Sequence, residues 1–371
     1  MINQDRLLQE FLELVQIDSE TKNEANIAKV LKQKLADLGF TVEEDDAAAK
    51  TGHGANNLIA TLPGNANGPT ILFSSHMDTV VPGNGVKPSV KDGYIVSDGT
   101  TILGADDKAG IAAILEGIRT AVEKNLPRPT IQVIFTVGEE SGLVGSRAMD
   151  SSLLKAEMGF IFDSEGKVGQ IVGAGAGQYR IVTRIFGKAA HAGVNPEDGI
   201  SAITVASKAI SRMPLGRIDA DTTANIGRFE GGKAYNIVTE YAEIWSEARS
   251  LVMDKLEEQV KKMTTAFEEV AAEFGARCEN DCIFMYHGYK FSEDTPVLQK
   301  AIAAVKRVDR EPDIVSSGGG SDGNIFNGFG IPSVNFGIGY QEIHTTNERM
   351  PIEELNKAAE LVLAVIAEVL E

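Results

Sequence analysis

Cysteine is nearly missing from this 371-residue chain: only Cys278 and Cys282 occur. Their C-x3-C spacing lacks the second pair that a structural zinc site would need, so they are expected to be reduced thiols in or near a strand. No apolar run approaches the roughly 18 residues of a membrane span, and Met1–Glu10 is charged rather than an apolar signal core. These absences argue against a membrane protein and lead to the expectation of a soluble, cytoplasmic one. Positive charge is also scarce, with 35 Lys and Arg against 53 Asp and Glu, a formal charge of −18. Phosphate binding needs clustered Lys and Arg, so nucleic acid and anionic membrane surfaces are not expected partners. Internal repeats and low-complexity segments are absent as well.

What is present is enough apolar material, 43% of residues, to bury a large core, and a length that favours two domains. Leu7, Leu8, Phe11, Leu12 and Val15 share one helical face, as do Ile27, Val30, Leu31, Leu35 and Leu38, with Gly39 as a stop. Short apolar runs at 57–61, 70–74, 130–137 and 159–162 read as buried strands, with a helix over 110–124 between two of them. Alternating strands and helices predict an α/β domain with a mixed, mainly parallel sheet and helices on both faces. From Gln178 to His287 the order becomes strand, helix, strand, strand, helix, strand. The strands are read at 179–186, 223–230, 236–248 and 277–285, and the helices at 200–212 and 253–274. That is the split βαβ order of a ferredoxin-like α+β domain. A helix over 295–310, a strand over 332–336 and a helix over 351–371 restore the first pattern. The expected organisation is a catalytic domain of residues 1–176 and 288–371, interrupted by an inserted lid or dimerisation domain of residues 177–287.

Two glycine-rich stretches invite other readings. Gly173-Ala174-Gly175-Ala176-Gly177 is followed by strand residues where a dinucleotide fingerprint needs a helix, so it is read as a hinge into the lid. Ser316–Gly323 lacks the Lys-Ser/Thr ending of a phosphate loop and is read as allowing close backbone approach to a ligand.

Five stretches place polar groups after apolar runs or beside glycine-rich turns. They are Ser75-His76-Met77-Asp78, Ala105-Asp106-Asp107-Lys108, Gly138-Glu139-Glu140, Phe162-Asp163-Ser164-Glu165 and Ile343-His344-Thr345-Thr346. In open α/β sheets, ligands lie beyond the carboxyl ends of the strands, and four strands would deliver these residues to one such edge. Taken singly, each has a plainer role: Asp106-Asp107 as a helix cap, Glu139-Glu140 as a solvated loop, His76 as a satisfied polar residue. Jointly they suggest two divalent metals, with Asp106 bridging, His76 and Asp163 on one, and Glu140 and His344 on the other. Nitrogen and oxygen donors without thiolate suit Zn2+, with Co2+ or Mn2+ as alternatives. Two metals about 3.5–4 Å apart can hold a hydroxide nucleophile and stabilise an oxyanion. Asp78, two residues after His76, is placed to reach back to the other ring nitrogen. Of the adjacent Glu139 and Glu140, one can bind metal while the other acts as general base. His53 and His287 have no such company and are read as structural or surface residues.

At these residues the sequence resembles the co-catalytic di-zinc metallopeptidase family of peptidase T, carboxypeptidase G and succinyl-diaminopimelate desuccinylase. The matching segments are 74–80, 98–110, 138–140, 162–164 and His344-Thr345-Thr346-Asn347-Glu348, in family order along nearly the whole chain. Gly104-Ala105-Asp106-Asp107-Lys108-Ala109-Gly110 and Asp163 resemble the peptidase T, tripeptide aminopeptidase branch in particular. The resemblance implies a zinc exopeptidase-like catalytic domain with His76, Asp106 and Asp163 on one zinc and Asp106, Glu140 and His344 on the other. It also implies Glu139 as the base, Asp78 as the residue orienting His76, and a cis bond between Asp106 and Asp107. Lys188-Ala189-Ala190-His191-Ala192-Gly193 matches the family's lid motif, which makes His191 an oxyanion donor, supplied across subunits in dimeric members. Asn236 resembles a substrate-binding lid residue. Arg249 either binds a substrate carboxylate or pairs with a strand neighbour. The segment 318–324 departs from the peptidase T pattern. The expected activity is hydrolysis of short peptides, with an N-acyl amino acid amidohydrolase as the alternative. A non-catalytic peptide- or metal-binding protein is disfavoured because Glu139 is intact.

Overall fold

The computed structural model describes residues Met1–Glu371. Contacts divide it into Met1–Ala174 with Phe291–Glu371, and Gly175–Lys290. In the first unit the apolar runs become strands buried along their whole length, notably Ile71–His76 and Ile131–Thr136. A strand buried on both faces needs no polar alternation, which is why these runs are continuously apolar. The sheet runs Thr41–Glu44, Leu58–Leu62, Ile131–Thr136, Ile71–His76, Met158–Ser164, Ser333–Gly337, Gln170–Gly175, with Asp313–Ser317 also paired to the last. Its centre is parallel, from Ile131–Thr136 through Ile71–His76 and Met158–Ser164 to Ser333–Gly337. The flanking pairs are antiparallel.

Alternate residues of these strands enter two cores. Phe73, Phe160, Phe162 and Phe336 pack with residues of the helices Gln4–Val15, Ala25–Asp37, Ala105–Glu123, Pro296–Arg307 and Ile352–Glu368. Leu72, Ile134 and Ile161 meet Phe326 of the short helix Asp322–Gly328 on the other face. The four phenylalanines form a chain with ring centroids 5.3–6.1 Å apart. Each such pair contributes about 0.5–1.5 kcal/mol beyond area burial. The chain ties three strands together directly beneath the edge from which Asp163 projects.

The second unit is an antiparallel sheet ordered Gly216–Arg217, Thr222–Gly231, Tyr241–Ser250, Gly177–Phe186, Arg277–Tyr286. Ala202–Ile210 and Met253–Phe274 share a core with its Ile181, Ile185, Ile244 and Ala248. Cys278 and Cys282 lie on its edge strand as free thiols. No helix of the protein is long and apolar enough to cross a membrane.

Three local features bear on these expectations. The strand expected from Asn236 starts at Tyr241. The preceding backbone pairs instead with the 190–192 segment, through Val238 N to Ala190 O and Ala192 N to Asn236 O, each 2.9 Å. Gly173, at the start of the stretch read as a hinge, lies within the strand Gln170–Gly175 with its carbonyl accepting from Phe291 N at 2.9 Å, and the boundary between the two units falls within that stretch, after Ala174. A small sheet of Ser89–Lys91, Tyr94–Val96 and Arg349–Pro351 was not expected, since three-residue strands carry no readable periodicity.

Candidate metal centre

The parallel strands end where their polar residues begin. His76 closes one strand, Glu139 and Glu140 follow Ile131–Thr136, Asp163 lies at the end of Met158–Ser164, and His344 follows Ser333–Gly337. Asp106 comes from the segment leading into the long helix, where residues 106 and 107 are non-helical and joined by a cis peptide bond. Gly110 of that helix has no room for a Cβ, which would sit 2.2 Å from Phe162 O and 2.6 Å from the Asp107 carboxylate. The backbone therefore approaches the sheet closely at this point.

Asp106 divides its two oxygens between the two histidines. Its Oδ1 is 3.0 Å from His76 Nε2, and its Oδ2 is 3.3 Å from His344 Nε2. Asp163 Oδ1 lies 3.8 Å from His76 Nε2, and Glu140 Oε1 lies 2.9 Å from His344 Nε2. Burial would raise the Asp106 carboxyl, but hydrogen bonds from His344 and His76 hold it well below the usual carboxylate range. Hydrogen bonds to Asp106 and Glu140 lift His344 to about 10. Burial opposes protonation of His76, yet hydrogen bonds to Asp106 and Asp78 raise it well above the ordinary imidazole value. Burial and the nearby Asp163 charge push Glu139 well up, and burial does the same for Asp163.

This donor set fits divalent cations. Both nitrogens of His76 face oxygen acceptors, so the Nε2 proton sits where a cation would replace it, while Nδ1 keeps its bond to Asp78 O at 2.9 Å. His76, Asp106 and Glu140 bring ligand atoms within 4.8 Å of one another, as do His76, Asp107 and Asp163. The second grouping includes Asp107, which the sequence had suggested only as a cap. Asp107 Oδ2 accepts from Ser75 Oγ, and Oδ1 is buried without a hydrogen-bond partner. Asp106, whose two oxygens face the two histidines, is better disposed to bridge.

The contact of Asp78 with His76 differs in detail from the expectation. The nearest acceptor for Nδ1 is the Asp78 main-chain carbonyl, and the carboxylate Oδ1 stands 3.5 Å away. The carboxylate is instead held by Thr21 Oγ1 at 2.7 Å and Glu139 N at 2.9 Å, linking the histidine to the glutamate turn. That turn depends on Gly138, at φ +60°, where a Cβ would lie 2.3 Å from His53 Nε2. His53 therefore packs against the base of the glutamate turn.

Other contributors carried no sequence signal of their own. Tyr340 Oη donates to Asp163 Oδ1 at 3.2 Å, and Asn335 clasps the Asp163 backbone through bonds of 2.6 and 3.0 Å. Buried Asp322 accepts from Thr136 and Ser146. Its place inside the glycine-rich stretch Ser316–Gly323 was the only hint of Asp322, and none marked Tyr340 or Asn335.

In the second unit, His191 bridges to Ile237 and Ala192 N bonds Asn236 O, so His191 and Asn236 share one end of the sheet. Arg249 stands eight residues along from Tyr241 on Tyr241–Ser250, roughly 25 Å away at about 3.3 Å per residue. Its guanidinium pairs with Glu247 through two bonds of 3.0 Å, the strand-neighbour alternative.

A mixed α/β sheet with nitrogen and oxygen donors gathered at the carboxyl edge of its parallel strands has the make-up of a metal-dependent hydrolase. The model of peptidase family M20/M25/M40 matches residues 72–368, and the chain belongs to that family. It is 59% identical over 368 residues, 99% of each chain, to the protein YqjE of Bacillus subtilis (strain 168). It superposes with a TM-score of 0.97 and 58% identity, over 100% of both chains, on the aminopeptidase PepT from Bacillus cereus ATCC 10987. A tripeptidase from Staphylococcus aureus subsp. aureus Mu50 matches with a TM-score of 0.96 and 50% identity, over 100% of this chain and 99% of its own.

Proposed function

We propose that this chain is a cytoplasmic, metal-dependent aminopeptidase of short peptides, tripeptides foremost, using two Zn2+ per chain. The observation that carries the reading is Asp106, whose carboxylate oxygens face different histidines. His76 and Asp163 would complete one ion's shell, and Glu140 and His344 the other's, with Asp106 shared. When bound, such ions polarise the scissile carbonyl and lower the pKa of an attacking water. Glu139, its carboxyl raised by burial and by Asp163, takes the proton of that water and returns it to the leaving amine. Asp78 fixes His76 through its carbonyl and Glu139 through its carboxylate. Tyr340 and Asn335 hold Asp163 in place. His191, beside Asn236, is the proposed oxyanion donor of the second unit. Tripeptide preference draws on two solved chains this one resembles, an aminopeptidase and a tripeptidase.

The test is to strip the full chain with chelator, restore Zn2+, Co2+ or Mn2+, and assay di-, tri- and tetrapeptides beside N-acyl amino acids by chromatography. Metal-restored release of the N-terminal residue is expected, fastest for tripeptides. No metal-dependent turnover of any peptide would end the proposal, and cleavage of acyl amino acids alone would replace it with an amidohydrolase.

A further inference from the structure

Glu348 belongs to no step above, yet it is buried to 1% exposure in an otherwise open loop. Its Oε2 accepts from Leu103 N and Gly104 N, both at 2.8 Å, and its Oε1 accepts from Asp106 N at 3.0 Å. A carboxylate taking three main-chain N–H bonds fixes the path of that backbone, because each buried donor would otherwise be orphaned. Gly104 makes the path possible with φ +75°. At its own end, Glu348 N closes a turn onto Thr345 O at 3.1 Å, one residue beyond His344. His344 itself stands at φ +62° among the exposed residues Thr345, Thr346 and Asn347, with no strand or helix to hold it. Glu348 is thus a brace between the loop that presents His344 and the segment that presents Asp106.

Resting on the two-metal reading above, we infer that Glu348 is a positioning residue that sets the separation of His344 from Asp106 and so builds the His344–Glu140 metal site. The other half of the centre has supports of its own. His76 ends a strand, and Asp163 is held by Asn335 and Tyr340. Loss of the brace therefore falls unevenly on the two ions.

Glu348→Gln separates this role from general folding. The amide oxygen can still accept from Leu103 and Gly104, while the amide nitrogen would face Asp106 N–H, donor against donor. Metal-free full-length protein is titrated with Zn2+ by calorimetry, with circular dichroism and thermal unfolding alongside. Wild type is expected to take two ions. The Gln variant should bind one ion within about twofold of wild type and the other about 10- to 100-fold more weakly, the size usual for a change just outside a metal's ligands. Its spectrum should be unchanged, and Glu348→Asp, which keeps the charge, should recover part of the lost affinity. Two ions bound as in wild type, or both weakened alike, overturns the inference while leaving the two-metal reading standing. A wild type that takes fewer than two ions overturns both, and does so before any variant is compared.

Discussion

Replacing Glu139 by glutamine tests the chemistry at a single proton. The side chain keeps its size, and the bond from residue 139 N to Asp78 Oδ1 belongs to the main chain and survives. Neighbouring Glu140 should therefore keep its place beside His344, and the chain should still take two ions. What disappears is a carboxyl whose proton affinity burial and the Asp163 charge have raised well above the ordinary carboxyl value. Removing a positioned general base slows reaction by about 10²–10⁴-fold, or about 2.7–5.4 kcal/mol of barrier at 1.36 kcal/mol per tenfold. The loss should fall on kcat, with little change in KM, and be read as kcat/KM on a tripeptide at fixed, saturating Zn2+. Stability should move the other way. The folded pKa of Glu139 lies above the reference 4.5, so its ionisation weakens the metal-free fold progressively as pH rises through the raised value. Glutamine has no such loss, and the metal-free variant should unfold at a higher temperature than wild type above neutral pH but not near pH 4. Activity within threefold of wild type, with both ions bound, would refute the base assignment. Loss of an ion together with activity would make Glu139 a ligand instead.

Three further outcomes follow from the same geometry. Asp106→Asn should weaken both ions by more than the roughly 10- to 100-fold of a change outside the ligands, whereas His344→Ala should weaken one; equal effects on calorimetric titration would contradict a shared Asp106. Zinc binding at pH 7 should release more than one proton, because His344 is lifted to about 10 and both His76 and Asp163 are raised well above their ordinary values without the metal. Heats measured in buffers of different ionisation enthalpy report that release, which should shrink as pH passes about 10, and its absence at pH 7 would count against both imidazoles as ligands. Gly138→Ala should lower thermal stability by about 1–3 kcal/mol, since φ is +60° and the new methyl would meet His53 Nε2. His53→Ala in that background should restore part of the loss but not the part due to the backbone.

Much of the architecture was legible along the chain because its strands are buried on both faces. An apolar run such as Ile131–Thr136 announces itself without any knowledge of its neighbours. The break in pattern at Gln178 was legible too, since it exchanges central parallel strands for an antiparallel sheet. The stretch 236–240 was misread as strand because its backbone bonds include those to residues 190–192, and such a pairing leaves no local periodicity. The small sheet that brings Arg349–Pro351 against Tyr94–Val96 was invisible for the same reason.

The polar residues follow the same division. His76, Glu139, Glu140, Asp163 and His344 could be picked out by type and by position after apolar runs, because strand direction sends them to one edge, and Asp106 by type beside a glycine turn that opens a helix. Supports such as Tyr340, Asn335, Thr21 and Glu348 could not, since each acts on a residue more than fifty positions away by a contact that only folding creates. The sequence by itself determined which donors are available and at which end of the sheet they emerge, because chain direction and burial are written in local pattern. Only the tertiary structure decided that Asp106 turns one oxygen to each histidine, that Asp78 grips His76 through its carbonyl, and that Glu348 braces Asp106, because hydrogen-bond geometry at 3 Å depends on how distant segments pack.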